Sequence, residues 1–158
     1  MHPTLEMSNP EAEGHTLSLR KSPDTTPISE IMATDVIAVT PEVRMEDLEE
    51  LLLQKGISGA PVVNDVGKPI GIVSKTDLLH RKVTPGAEGA KVKDIMMRTA
   101  YCLSENESIA RAAGNMAFEG IHRIPVVGAR GMVTGVVSPL DVMRWLARQY
   151  GYPIGNRR

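Results

Sequence analysis

The sequence holds a single cysteine, Cys102, so no disulfide forms within the chain, and a reducing, cytoplasmic setting is expected. Aromatic residues make up 3% of the chain, too few for a surface that stacks on bases, and the core must be aliphatic. The net charge is −1 at pH 7, so no global field draws the chain to nucleic acid or to an anionic membrane. No apolar run approaches the roughly 20 residues that cross a bilayer. The first residues also lack the basic-then-apolar order of a signal peptide. Neither nucleic acid nor membrane is therefore expected as a partner. The scattered histidines and the lone cysteine show no metal-ligand spacing. Gly128-x-x-Gly131 has the spacing of neither a dinucleotide fingerprint nor a P-loop. No nucleophile has a base nearby in sequence. Catalysis, a metal and a required cofactor are all unexpected on these grounds.

What the sequence does contain is a repeat. Residues 1–27 are polar and carry Pro3, Pro10, Pro23 and Pro27, which reads as a flexible arm, with Leu17 and Leu19 as the one hint of an edge strand. From Ile28 the chain becomes regular. Ile31-Met32 returns 64 positions later as Ile95-Met96, and Gly56-Ile57 returns as Gly120-Ile121. Pro61-Val62-Val63 returns as Pro125-Val126-Val127, and Asp77 as Asp141, at the same spacing. A constant offset means duplication without insertion, and it sets the fold before any local reading does.

Each unit reads β-α-β-β-α. Ile28 to Met32 and Val92 to Met96 look like short opening turns. Val36 to Val39 and Ala100 to Leu103 look like short strands. Thr40-Pro41-Glu42 offers an N-cap followed by proline, and Ser104-Glu105-Asn106-Glu107 has the form of a capping box. Helices are expected from there to about Lys55 and Glu119, stopped by Gly56 and Gly120. Two hairpins follow, 60–73 and 124–137. A second helix in each unit starts at Ser74-Lys75-Thr76-Asp77 or at Ser138-Pro139-Leu140-Asp141. The expected organisation is an arm over 1–27, unit one over 28–82, a linker over 83–91, unit two over 92–150 and a tail over 151–158. One such unit buries too little surface to be comfortable alone. The expectation is an α+β fold, two units packed by pseudo-two-fold symmetry around a cleft. The run Trp145 to Tyr152, with Arg144, Arg148, Arg157 and Arg158, reads either as a surface for a partner or as a frayed end.

The Ile-Met opening, the Gly-Ile-x-x-x-Pro-Val-Val stretch and the Gly-x-Val-Ser-x-x-Asp stretch, in this order and twice over, resemble a pair of CBS domains (the cystathionine-β-synthase type, paired as a Bateman module). The resemblance spans about Pro27 to Trp145. It implies a stand-alone regulatory module that binds an adenosyl ligand (AMP, ADP, ATP or S-adenosylmethionine) between its units. It also implies a homodimer and signalling to an unidentified regulated protein. The alternative is a scaffold for dimerisation and protein interaction that binds no ligand.

Local chemistry alone explains Ser74 and Asp77 as a helix cap. The resemblance adds ribose and phosphate contacts for Ser74 and Asp77, and equally for Ser138 and Asp141. Lys75 is a further phosphate candidate; Arg44 and Arg130 are weaker ones. His122-Arg123 has no basic counterpart in unit one, where Ser58-Gly59 stands, and the resemblance makes the pair phosphate ligands, reaching a nucleotide seated mainly in unit one. An arginine fork suits phosphate oxygens. For the adenine pocket the resemblance implies Val36, Ile37, Gly59, Ala60 and Pro61 in unit one, and Ala100, Tyr101, Ile124 and Pro125 in unit two. The plainer reading of these strand residues is core.

Overall fold

The structure is a computed structural model that describes residues 20–86, 88–98 and 101–155. Leu17, Leu19, Ala100, Arg157 and Arg158 lie outside the described residues. In the first half, a helical turn at Ile28–Glu30 precedes α1 (Met45–Gln54), β1 (Gly59–Val63), β2 (Pro69–Ser74) and α2 (Lys75–Lys82). The second half holds α3 (Val92–Ile95), β3 (Met97–Arg98), β4 (Leu103–Ser104), α4 (Ile109–Glu119), β5 (Ile124–Val127), β6 (Val133–Val137) and α5 (Pro139–Gln149). The sheets run β1-β2-β3 and β4-β5-β6, each built on an antiparallel hairpin.

Both first helices start later than the sequence suggests, and for one shared reason. The segment before α1 is tied to the second opening. Val43 O accepts from Val92 N at 2.8 Å, Pro41 O from Lys93 N at 3.0 Å and Ala90 O from Met45 N at 3.1 Å. Thr40 and Pro41 therefore lie in a turn, and Arg44 is the N-cap. The segment before α4 is tied in the same way to the first opening. Glu107 O accepts from Ile28 N at 2.8 Å, Glu105 O from Ser29 N at 3.1 Å and Thr26 O from Ile109 N at 2.9 Å. Ser104 closes a turn with Glu107 N at 2.9 Å. The cap is Ser108, whose Oγ accepts from Arg111 N at 3.1 Å. The expected strand at 36–39 shrinks to one bridge, Val39 with Val62, flanked by Val39 N to Pro61 O at 3.0 Å and Val63 N to Val39 O at 2.9 Å.

These ties show that the openings cross over. Ile28 is fully buried in the second core, with Ile109, Ile124, Val126 and Val137, and Ile31 and Met32 pack beside it. Ala90 and Val92 are buried in the first core, with Leu48, Leu52, Val62 and Val73, and Ile95 and Met96 pack beside them. At the sheet edges β3 pairs with β2, and Ala33 makes the equivalent bridge to Val136 beside β6. Each hairpin thus has a neighbour from the other repeat along the outer edge of its second strand, β2 or β6. Trp145, read as the start of either a partner surface or a frayed end, is 5% exposed in the second core. It sits on the apolar face of α5, where an indole adds more burial than any aliphatic alternative.

Candidate functional site

Each β-hairpin runs without a break into a helix. Ser74 ends β2 in extended geometry and is the N-cap of α2; Ser138, the extended residue between β6 and α5, is the N-cap of α5, with Pro139 in the first turn where its missing N–H costs nothing. Asp77 closes a capping box. Its Oδ2 accepts from Ser74 N and from Ser74 Oγ, both at 2.7 Å, while Asp77 N donates to Ser74 Oγ at 3.3 Å. Asp141 repeats this with Ser138, at 2.8, 2.7 and 3.4 Å. Each carboxylate spends one oxygen on the cap. Among the described residues no hydrogen bond reaches Oδ1 of either.

Two clefts open between the units, related by the 64-residue repeat. The first, of about 260 Å³, brings Val36, Ile37, Gly59 and Pro61 of one unit against Ser138 and Asp141 of the other. The second, of about 390 Å³, brings Ser74, Lys75 and Asp77 against Ile121, His122 and Arg123. Arg123 and Ser58 line both. The apolar wall assigned to unit one therefore faces the carboxylate of unit two, not the Asp77 beside it in sequence. The crossed opening is part of this pairing: Ala33 bridges Val136 beside β6, and the Val36-Ile37 stretch that follows lines the cleft with Ser138 and Asp141.

Several expected wall residues lie elsewhere. Ala60 and Ile124 are fully buried in the first and second cores. Strand alternation sends them and their neighbours Val62 and Val126 away from the clefts. Pro125 is fully buried, outside both linings. Tyr101 is exposed and donates from its hydroxyl to Glu119 Oε1 at 2.8 Å; this bond raises the phenol above its ordinary pKa. Arg44 pairs with Glu46 at 3.3 Å, and Arg130 sits exposed in the β5–β6 turn; both lie outside the clefts. Ser58, Asp35 and Ile121 line clefts and were missed. Ser58 was within reach of the sequence, since it is the repeat counterpart of His122.

Lys75 and His122 are exposed, and among the described lining residues Arg123 is the half-buried cation. Its Nη2 donates to Ser58 Oγ across the interface between units. Burial lowers its pKa below the ordinary arginine value, and the field of Asp141 partly offsets this. Gly59, its counterpart, gives it room: a Cβ there would stand 3.4 Å from Arg123 Nη1 and 2.8 Å from Val73 O. The clefts offer an apolar wall, backbone and hydroxyl groups, one carboxylate oxygen free for hydroxyl donors, and cations for an anion. Among the described residues no cluster of three or more His, Cys, Asp or Glu side chains suits a metal ion. No helix among them is long and apolar enough to cross a membrane.

The chain belongs to the CBS domain family, which it matches over residues 28–83 and 92–148. Among solved structures it is similar to CBSX2, a CBS-pair protein of Arabidopsis thaliana. The complex of CBSX2 with AMP is 27% identical, has a TM-score of 0.69, and covers 79% of this chain and 98% of that one. Among curated proteins it is similar to the uncharacterized protein MK0525 of Methanopyrus kandleri, 28% identical over 74% of this chain and 61% of the relative. The inosine-5′-monophosphate dehydrogenase of Thermoplasma acidophilum is 32% identical over 72% of this chain and 22% of the enzyme. The chain thus spans less than two thirds of these curated relatives.

Proposed function

We propose that this CBS pair is a regulatory module that binds an adenosyl ligand between its two units and reports occupancy to a partner protein. The observation that carries the reading is the Asp77 cleft. There a carboxylate with one oxygen left for ribose hydroxyls stands on one unit, while His122 and Arg123 stand on the other. A ligand touching both units biases their relative orientation, which is all that signalling needs. The AMP complex of CBSX2 supports the ligand class. Catalysis is not part of the proposal. The cytoplasm and a homodimer are; exposed Leu79 on α2 and exposed Leu140, Met143 and Leu146 on α5 offer apolar surface for a second copy. The same side chains favour the second reading, an interaction scaffold indifferent to nucleotide.

Calorimetric titration of nucleotide-free protein with AMP, ADP, ATP and S-adenosylmethionine separates the two. Saturable heat with at least one is expected. Asp77→Ala is expected to weaken the ligand bound at that cleft by roughly 1–3 kcal/mol, the scale for losing a buried hydrogen-bonding partner. Absence of heat and of thermal shift with all four would leave only the scaffold.

A further inference from the structure

The two clefts share a shape but not a charge. Moving from the Asp77 cleft to its counterpart by the repeat exchanges Lys75 for Pro139, His122 for Ser58 and Arg123 for Gly59. Every basic residue of the Asp77 lining has a non-basic counterpart in the other repeat. The Asp141 cleft carries the carboxylates of Asp35 and Asp141, and the one basic side chain in its described lining is Arg123, borrowed from the other repeat. The Asp77 cleft has Lys75, His122 and Arg123 around a single carboxylate. It is also the roomier, about 390 Å³ against about 260 Å³.

We propose that the clefts take ligands of different charge: the Asp77 cleft an adenosyl ligand bearing a 5′ phosphate, the Asp141 cleft a nucleoside without phosphate. This rests on the adenosyl reading above and adds a division of labour to it. Arg123 enforces the division. Its guanidinium lies between the clefts, bonded to Ser58, which also lines both. A planar fork engaged by phosphate oxygens on one side is unavailable on the other. Once a phosphate in the Asp77 cleft recruits it, no other basic side chain of the described lining offsets Asp141, and a second phosphate there meets like charge. A neutral nucleoside meets no such penalty, and its hydroxyls still find Asp141. Partial desolvation of Arg123 fits this role, since a buried cation gains more from an anion than an exposed one does. One module therefore senses two ligands, one of each charge, in place of two copies of one.

The test is calorimetry on the full chain with AMP and adenosine as probes. AMP is expected to bind with one equivalent per chain, and adenosine added to the AMP-saturated protein with one more. Asp77→Asn, which keeps an oxygen for the cap, should weaken the AMP event by roughly tenfold or more and leave the adenosine event at one equivalent with unchanged affinity. Asp141→Asn should do the reverse, sparing AMP and weakening the second event by roughly tenfold or more. Arg123→Gly, which installs the repeat's own counterpart, should lower the ratio of AMP to adenosine affinity by roughly tenfold or more, the scale of a charge-assisted hydrogen bond. Two equivalents of AMP with similar affinity would overturn the proposal while leaving the adenosyl reading intact. So would loss of AMP binding in Asp141→Asn with retention in Asp77→Asn, or an unchanged affinity ratio in Arg123→Gly. Silence from both probes in the unaltered protein would overturn the adenosyl reading with it.

Discussion

Gly71 and Gly135 hold corresponding positions in β2 and β6, and each lies under the opening segment that crosses from the other repeat. A Cβ at Gly71 would meet Met97 O at 2.8 Å and Met96 Sδ at 3.1 Å; one at Gly135 would collide with the Met32 thioether and stand 3.1 Å from Ala33 O. The obstacle at Gly71 includes backbone, which cannot swing aside as a side-chain tip can. Gly71→Ala is therefore expected to destabilise the fold by about 1–3 kcal/mol, the usual cost of overpacking, read as a fall in the denaturation midpoint at constant slope. At Gly56, which also lacks a side chain, a Cβ meets nothing within 4 Å. Its φ of 62° is what calls for glycine there. Another single residue fixes a pH response. Hydrogen bonds from Lys91 Nζ at 2.6 Å and Lys93 Nζ at 2.8 Å hold the Glu42 carboxyl down to about 2. A carboxyl depressed in the folded state adds stability above its unfolded pKa and loses it as pH falls through the folded one. Glu42 is solvent-exposed, so the effect is small and screened by salt. Glu42→Gln should flatten the pH dependence of the thermal midpoint between 4.5 and about 2, and a midpoint slope identical to that of the unaltered protein would exclude the contribution.

At the scale of elements, the opening turns matter beyond their length. Ile28 is fully buried among the α4, β5 and β6 residues of the other repeat. Ile28→Ala should cost about 2–5 kcal/mol through lost transfer energy and a residual cavity; urea titration checks it, and a loss below about 1 kcal/mol would mean that the turn is only draped on the core. The sequence made some elements plain and hid others, for physical reasons. The hairpins were legible because glycine, joined by asparagine in the first turn, punctuates short apolar runs. The capping boxes at Ser74 and Ser138 were legible because a hydroxyl and a carboxylate three residues apart form a local, self-sufficient unit. The starts of α1 and α4 were not. Thr40-Pro41-Glu42 and Ser104-x-x-Glu107 have cap chemistry, but their backbone groups are claimed by chain about 50 and 80 residues away. Local propensity cannot register that competition. In the clefts, Ser74, Asp77, Ser138, Asp141, His122 and Arg123 could be picked out one by one. Their crosswise grouping depends on the crossed openings, a long-range fact with no local signature. Ala60 and Ile124 were misplaced for a simpler reason: a short apolar strand does not announce which face is which.

For the whole molecule, the crossing makes the halves mutually dependent. Residues 20–86 alone lack Ala90, Val92, Ile95, Met96 and β3, all of which belong to the first core or its sheet. Residues 88–155 alone lack Ile28, Ile31 and Met32. Neither fragment is expected to unfold cooperatively by itself, while an equimolar mixture should regain native circular dichroism and a single transition. A fragment that folds alone to full stability would show the crossing to be dispensable. The interlock also bears on ancestry. The constant 64-residue spacing implies a duplication, and a chain carrying one copy closes its core by the route seen here only if it exchanges openings with a twin. The single-copy ancestor was on this account an obligate pair of identical chains, and every substitution in it appeared twice. Only after the copies were joined end to end could one position carry Gly59 while its twin carried Arg123. Gene fusion is thus what allowed the two clefts to diverge.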